Sequence, residues 1–526
     1  MPDKRQWLVR ALPAVVMGLL LSSACTDETI TIRDPYNDPV DNVNGFLGYF
    51  SVADQQTTCG NCHADEQANW IETAHAGAWE GLHTSSFAND TTCGPCHSVS
   101  ALGNWVIGDA GYAATFDSTY HDVQCESCHG PGLDHVLEPS VTQPLASFFA
   151  ATDSTTGCGE CHQDTHHPFV EQWEASAHGS GGSFSRGGSE SCDECHNGKE
   201  ALVEQFGVDA PYLEKDNGDL ASITCVVCHD PHGSPYEGQL RAPVSEATNR
   251  NLCIKCHNRR PTPSQTTHGF HAAQGPLVIG GDLGWLPDSL EWPYPGNAHF
   301  HGRVDANPGL CATCHVETFT TANGFNSVGH LFEAAPCVDD DGVPYPGHEC
   351  ELADRRWNAC AQCHGTAENS LLKFETYTEE LEGYLKAIWD DANHNDTLDL
   401  NGSDSGLLVD IVNLGDYTVL AQNDDVFTIA EGVLFNAMLA HGHHAAPWFA
   451  EGYYPYKKDA TTGEPVYREF ATHPASGSGI HNPTMLRALL KASILVGSNY
   501  YGIPQPAGVN LVLAPGTFVV RSQSPR

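Results

Sequence analysis

The stretch "CESCHGPGLDH", residues 125–135, places two cysteines, an adjacent histidine and a second histidine close together in the chain. The pattern Cys-x-x-Cys-His within it occurs nine times, and we number these motifs 1 to 9 from the N-terminus. A pattern that returns so often indicates one repeated chemistry. The motif residues are Cys59, Cys62 and His63; Cys93, Cys96 and His97; Cys125, Cys128 and His129; Cys158, Cys161 and His162; Cys192, Cys195 and His196; Cys225, Cys228 and His229; Cys253, Cys256 and His257; Cys311, Cys314 and His315; and Cys360, Cys363 and His364.

Each cysteine pair suits thioether bonds to the two vinyl groups of one haem, and the histidine that follows can ligate the haem iron. Disulfides and zinc are the alternatives, because export favours disulfides and zinc ribbons also use paired Cys-x-x-Cys motifs. Neither alternative explains a histidine directly after every second cysteine. The sequence therefore predicts nine covalently attached haems c.

The motifs leave three of the 21 cysteines unused, namely Cys25, Cys337 and Cys350. The last two bracket the stretch "VDDDGVPYPGHE". In an exported protein they are predicted to form a disulfide, and two free thiols are the alternative.

The N-terminus has the pattern of an export signal. Lys4, Arg5 and Arg10 precede a mostly apolar run, residues 11–24, which is too short to span a bilayer. The run ends in "LSSAC", which resembles a bacterial lipobox and makes Cys25 the candidate lipidated residue, although Leu21 lies four positions before the cysteine instead of three. We expect an exported outer-membrane lipoprotein, periplasmic or at the cell surface. Plain secretion and a retained anchor are the alternatives.

The composition limits the partners and the fold. The chain has 66 acidic against 24 basic residues, a formal net charge of −42, which argues against nucleic acid and anionic membrane surfaces. Long apolar runs are scarce before about residue 370, and 51 glycines and 32 prolines interrupt the chain. Something other than side chains must fill its core. We expect a mainly α fold with extensive irregular loops and little β-structure.

The motif spacing indicates a duplication. Motif cysteines at 59, 93 and 125 recur at 158, 192 and 225, and "WIETAHA" at 70 matches "WEASAHG" at 173. The predicted parts are a signal peptide (1–24), an N-terminal linker (25–58), a multihaem domain (59–368) with two three-haem blocks (59–157 and 158–257), and a C-terminal helical region (369–526) packing on the haems. Helices are predicted at 370–390, at 426–445 and from about Pro483. The tail "VNLVLAPGTFVVRS" is predicted to form two short strands about a Pro-Gly turn.

Several stretches carry a family resemblance. "CGNCH…W…TAHA", "CESCHGPGLDH", "CHDPH", "HAAQG", "CATCH" with a later "VGH", and "GIHNP" resemble multihaem c-type cytochromes of the cytochrome c554 type, from about residue 59 to 490. The resemblance implies a chain wrapped around a haem array, with distal histidines that often serve a haem other than that of the nearest motif. By local match the distal candidates are His75, His135, His167, His178, His232, His271, His299, His330 and His481.

Histidine supply fits this ligation. The chain has 29 histidines but four methionines, two of them in the signal, so histidine on both sides of every iron is expected. His301 and His166 are the alternatives to His299 and His167. The reserves are His83, His121, His268 and His443.

A calcium loop is a further possibility at "DANHNDTLD". Asp391, Asn393, Asn395 and Asp399 stand at alternating positions, as the ligands of a calcium loop do. Asp396 replaces the usual glycine and Gly402 stands where the closing acid belongs. A solvated acidic turn is the alternative.

Nine such haems favour an electron-transfer cytochrome over an enzyme, with redox partner proteins or an extracellular electron acceptor. Two alternatives remain open at this point. One is a nitrogen-compound oxidoreductase of the nitrite or hydroxylamine type, which needs one open haem. The other is a homo-oligomer that assembles into a conductive filament.

Overall fold

The structure is a computed structural model of the 526-residue chain. It describes residues 44–84, 92–144, 157–163, 168–179, 192–208, 220–264, 271–287, 290–291, 299–346, 350–392, 397–398, 402, 404–414, 420, 426–441, 448–449, 457–458, 465–466, 478–515 and 517–520.

Short helices joined by irregular loops make up the motif-bearing part of the chain, where Gly and Pro interrupt every longer apolar run. The α-helices there are Ala64–Trp70, Ala78–Thr84, Gly111–Thr115, Cys125–His129, Leu133–Leu137, Phe169–Ala175, Asp193–His196, Gly198–Phe206, Cys225–Cys228, Gln274–Ile279, Cys311–His315 and Asn358–His364. The 3-10 turns are Cys59–Asn61, Ala74–Gly77, Ser118–Tyr120, Gly157–Glu160, Glu237–Gln239, Phe300–Gly302 and Leu352–Asp354.

The strands are two or three residues long and form isolated pairs. Tyr49–Ser51 pairs with Gln56–Thr57, Phe319–Thr320 with Asn326–Ser327, Cys337–Val338 with Pro344–Tyr345, Lys457–Lys458 with Pro465–Val466, Leu290–Glu291 with Val519–Val520, and Thr397–Leu398 with Trp448–Phe449. The last pair is parallel and the others are antiparallel. The predicted fold class, mainly α with little β-structure, is confirmed.

Four C-terminal helices enclose the largest apolar core of the described residues. They are α1 (Ala367–Ile388), α2 (Leu407–Val412), α3 (Ile429–His441) and α4 (Pro483–Tyr501), and Ser478–His481 is a short turn before α4. Ile388, Leu408, Phe435, Leu489 and Ile494 lie in this core fully buried. Burial of side chains of this size contributes about 1.5–3 kcal/mol each and stabilises the packing of these helices.

The two longest helices lie where the sequence predicts helices. Thr366 caps α1 by accepting a hydrogen bond from the Asn369 backbone N–H. Pro483 stands in the first turn of α4, and that helix ends at Gly502, whose φ of 68° is left-handed. These two helices and α3 confirm the predictions for residues 370–390, 426–445 and the region after Pro483.

The prediction of a C-terminal hairpin is wrong. Residues 509–515 have no strand, and Val519–Val520 pairs instead with Leu290–Glu291, far away in the sequence. A partner strand brought near by the tertiary fold replaces the neighbour across the Pro-Gly turn. No helix in the described ranges is both long enough and apolar enough to cross a bilayer.

Candidate haem-binding site

Most motifs form about one turn of helix. In motifs 1, 2, 4, 5, 6 and 7 the backbone N–H of the motif histidine donates to the carbonyl of the first cysteine, at N···O distances of 2.9–3.2 Å. Because side chains three and four positions apart share one face of a helical turn, this bond brings both cysteines and the histidine to the same side. The motif is thus a local arrangement that needs no distant part of the chain.

Backbone carbonyls fix the orientation of several imidazole rings. Nδ1 of His229 lies 2.6 Å from the Gly238 carbonyl oxygen, and Nδ1 of His97 lies 2.9 Å from that of Ala78. The same kind of contact holds His135, His301, His315 and His330. Since a carbonyl only accepts, Nδ1 carries the proton in each ring and Nε2 keeps the lone pair that can bind a metal.

Eight of the motif histidines face a second histidine ring across a gap. The ring centres lie 6.0–6.3 Å apart. With each nitrogen about 2 Å from a metal ion, two imidazoles on opposite sides of it need a separation of about 6 Å. The pairs are His63–His135, His162–His75, His129–His232, His196–His271, His229–His330, His257–His178, His315–His481 and His364–His301.

The structure thus brings seven of the nine distal candidates opposite a motif histidine. Each of these seven faces a motif other than the one that most closely precedes it in the sequence. His301, not His299, faces His364, and the His299 ring lies 4.7 Å from that of His301. The Ile480 carbonyl accepts from Nδ1 of His301 at 2.9 Å, and this contact holds that ring toward motif 9. His167 lies outside the described residues, and none of the ring pairs within the described ranges includes His97.

Burial keeps the innermost of these histidines neutral. It lowers the pKa of His178 to about 4 and that of His481 to about 3. Nδ1 of His481 is buried and has no hydrogen-bond partner among the described residues. A buried neutral imidazole aimed across a gap at another imidazole is the ligand form that a haem iron takes.

One continuous cavity of about 3350 Å³ runs along the motifs, and motifs 2 to 9 all contribute cysteine or histidine residues to its mainly apolar lining. Single small-molecule sites measure about 300–1,000 Å³, so this cavity has the size of several large ligands. The residues present therefore fit haem.

Cysteines of different motifs lie side by side. The thiols lie close enough to interact between motif 1 and motif 3 (Cys59–Cys125), 2 and 4 (Cys96–Cys161), 4 and 6 (Cys158–Cys225), 5 and 7 (Cys195–Cys256) and 7 and 8 (Cys253–Cys311). Motif 3 also adjoins motif 4 (Cys128–Cys158), motif 6 adjoins motif 7 (Cys228–Cys253) and motif 8 adjoins motif 9 (Cys314–Cys360). All nine motifs belong to one connected set.

The remaining cysteines behave differently. Cys337 and Cys350 form the predicted disulfide, with Cα atoms 6.0 Å apart, whereas none of the motif cysteines, all of which the structure describes, is in a disulfide. This disulfide closes a loop beside motif 9, where Arg356 also pairs with Glu317. Cys25 lies outside the described residues.

The calcium prediction is not resolved by the fold. Asn393, Asn395 and Asp399 lie outside the described residues, and of the four proposed ligands only Asp391 is described. Within the described ranges no group of three or more His, Cys, Asp or Glu side chains is arranged to hold a metal ion on its own. Calcium binding stays a prediction of the sequence.

The sequence analysis overlooked Glu126, an intervening residue of motif 3. Its carboxylate is buried and accepts backbone hydrogen bonds from Leu47, Gly48 and Gly132 at 2.7–3.0 Å. It fastens the chain before motif 1, and the turn after motif 3, to motif 3 itself. In the sequence, its role could have been suspected only from the position of a glutamate between the two cysteines of a motif.

Replacing Glu126 by glutamine should destabilise the protein by about 2–3 kcal/mol, because an amide turns N–H donors toward backbone N–H groups and leaves them unsatisfied. Chemical denaturation of the holoprotein measures the change. Glu138→Gln, at an exposed position, is the matched control and should change stability by less than about 0.5 kcal/mol. Equal stability of the two variants would contradict the fastening role of Glu126.

Comparisons with known proteins agree with this site. Residues 58–130 match the family model of cytochrome c554 and c-prime, and residues 217–262 match the model of the doubled CXXCH motif. The chain is 27% identical over 194 residues to the multiheme cytochrome MtrA of Shewanella baltica (strain OS185), over 34% of this chain and 55% of that one. It therefore spans about half the length of this curated relative.

A crystal structure of the outer cell wall cytochrome OcwA superposes with a TM-score of 0.49 and 14% sequence identity, over 85% of this chain and 99% of that chain. The motifs and the family matches identify the protein as a multihaem c-type cytochrome. It binds haem c covalently through its Cys-x-x-Cys-His motifs.

Proposed function

We propose that this cytochrome is an electron carrier that binds nine haems and catalyses no reaction of its own. Haem c supplies one-electron redox chemistry when it is bound. The chain supplies the thioether cysteines, two imidazoles for each iron and the apolar surroundings that keep water away. These protein groups set the reduction potentials.

The succession of contacts between motifs carries this proposal. Electron tunnelling falls steeply with distance, so a carrier must hold its cofactors close together. The contacts run from motif 1 through 3, 4, 6, 7 and 8 to motif 9, while motif 2 adjoins motif 4 and motif 5 adjoins motif 7. The contacts among motifs 1 to 4 recur three motifs later: the pairs 1 and 3, 3 and 4, and 2 and 4 correspond to the pairs 4 and 6, 6 and 7, and 5 and 7. This recurrence supports the duplication predicted from the sequence.

Each of the eight facing pairs would hold one haem iron between its two imidazoles, with His301 in the place for which the sequence favoured His299. For motif 2 we retain His167. Motif 5 corresponds to motif 2 in the duplicated blocks, and its histidine faces His271, which follows motif 7. The equivalent position for motif 2 follows motif 4, where His167 stands in the sequence.

Two imidazoles at each iron leave no position for a substrate, which is why we favour a carrier over a nitrogen-compound oxidoreductase. An oxidoreductase of that type would need one iron with a free side. The eight facing pairs account for every motif except motif 2, so a search for an open haem reduces to a single site.

The location and the partners of the carrier are proposed from features of the sequence. We propose an exported protein, held in the outer membrane through lipidated Cys25, with the multihaem domain at 59–368 and the helical region at 369–526. Its net charge of −42 favours basic redox proteins or metal-bearing acceptors as partners. Filament formation stays a prediction of the sequence.

A redox titration combined with a haem count tests the proposal. We expect nine haems per chain, nine electrons taken up on reduction, and a fully low-spin spectrum in both oxidation states. A double variant, Cys192→Ala with Cys195→Ala, should bind eight haems and serve as the calibration. A stable high-spin fraction in the unmodified protein, or turnover of nitrite or hydroxylamine, would count against a pure carrier.

A further inference from the structure

Phe332 has an unusual backbone conformation for its residue type. Its φ of 57° is in the left-handed region, which bulky side chains seldom adopt and which strains the backbone. It follows His330 and Leu331 in a turn in which its N–H donates to the Gly329 carbonyl at 3.2 Å. Such strain persists where surrounding contacts require it.

The ring of Phe332 contacts two distal histidines. Its centre lies 4.6 Å from the His178 ring at an interplanar angle of 80°, and 5.4 Å from the His330 ring at 56°. The first contact is edge-to-face, a favourable geometry for aromatic rings. His178 faces motif 7 and His330 faces motif 6, so one side chain packs against ligands of two neighbouring haem sites.

The carbonyl of Phe332 reaches a third site. It accepts a hydrogen bond from Nδ1 of His315, the motif 8 histidine, at 2.8 Å. A carbonyl in this position fixes the tautomer and raises the basicity of a metal-binding imidazole. The left-handed backbone lets the ring and the carbonyl of one residue serve different histidines at the same time.

We propose that Phe332 is a positioning residue for three consecutive haem sites, at motifs 6, 7 and 8. Its ring sets the imidazole planes of His178 and His330, and its carbonyl sets the ligand strength of His315. The inference rests on the proposed assignment of the facing histidines as axial ligands.

The imidazole plane angles make the inference measurable. The His178 and His257 rings are inclined by 72°, whereas the His229 and His330 rings are inclined by 19°. In ferric low-spin haem, near-perpendicular imidazole planes give a large-g electron paramagnetic resonance signal, and near-parallel planes give a rhombic one. The His301–His364 pair, at 90°, is a second near-perpendicular pair and has no contact with Phe332 among the ring contacts of the described residues.

The variant Phe332→Gly separates the two roles, because glycine adopts the left-handed conformation without strain and keeps the carbonyl while it removes the ring. We expect the large-g signal to fall by one haem equivalent per chain as His178 rotates, while His301–His364 retains its share. The midpoint potential of the motif 8 haem should stay unchanged. Phe332→Val, in contrast, should lose the large-g signal and also shift the potential of the motif 8 haem. A β-branched side chain forces the backbone, and with it the carbonyl, out of this conformation.

Phe116→Gly is the matched control. Phe116 is also left-handed, with a φ of 55°, but it is exposed, and its ring packs on Tyr112. The Phe116→Gly variant should give the same electron paramagnetic resonance signals and potentials as the unmodified protein. Spectra of Phe332→Gly identical to those of Phe116→Gly would overturn the role of Phe332. Absence of low-spin signals from the unmodified protein would instead refute the proposed ligation itself.

Discussion

Replacing His481 by alanine should convert one haem of the set from low spin to high spin and create one carbon monoxide binding site per chain. His481 ends the turn Ser478–His481, and its ring centre lies 6.1 Å from that of His315. Burial lowers its pKa to about 3, so the imidazole is neutral and its lone pair is available at any physiological pH. Among the described residues no other ring pair includes His315.

The same change should raise the potential of the motif 8 haem by on the order of 0.1 V, since loss of an imidazole removes electron donation to the ferric iron. Electron paramagnetic resonance at low temperature measures the spin state, carbon monoxide titration counts the new binding site, and spectroelectrochemistry measures the potential.

His299→Ala is the control for this experiment. His299 is a partly buried histidine close to His301 and was the candidate that the sequence favoured. If His301 is the ligand of motif 9, His299→Ala keeps all haems low spin, whereas His301→Ala yields a high-spin haem. A fully low-spin His481→Ala protein would show that the pairing of motif 8 is incorrect, and a high-spin His299→Ala protein would restore the original candidate.

Replacing Gly302 by alanine should both destabilise the protein and release the haem ligand beside it. A Cβ atom on Gly302 would overlap the carbonyl oxygen of Val278 in the buried helix Gln274–Ile279. Because both partners are backbone, neither can move aside without shifting the helix or the turn Phe300–Gly302. We expect a loss of about 2–3 kcal/mol of stability and displacement of His301.

Thermal unfolding and the spin state of the motif 9 haem measure these two effects together. Gly383→Ala is the matched control, because a Cβ there meets no atom within 4 Å and the position lies inside α1. Alanine in a helix interior is favoured over glycine by about 1 kcal/mol, so this control should raise the unfolding temperature. A Gly302→Ala protein as stable as the unmodified one, with a low-spin motif 9, would contradict the close packing at Val278.

Local chemistry was readable from the sequence because it acts over a few residues. A Cys-x-x-Cys-His motif forms within one helical turn, so the residues that attach haem follow from their spacing alone. The helices α1 and α4 were predictable for the same reason, since α1 follows from the helical spacing of its apolar residues and Pro483 acts on the first turn of α4. The duplication was visible because the spacing of the motif cysteines repeats along the chain.

Which imidazole faces which motif depends on the path of the whole chain. His315 and His481 belong to distant segments, and the Ile480 carbonyl holds Nδ1 of His301, whereas Nδ1 of His299 has no hydrogen-bond partner among the described residues. The role of Phe332 was equally hidden, because it comes from a backbone turn that brings one ring and one carbonyl to three sites. The sequence by itself determined the cofactor class and predicted its attachment points, since covalent and helical geometry is local. Only the tertiary structure decided the partners of each imidazole, since such contacts join segments that folding alone brings together.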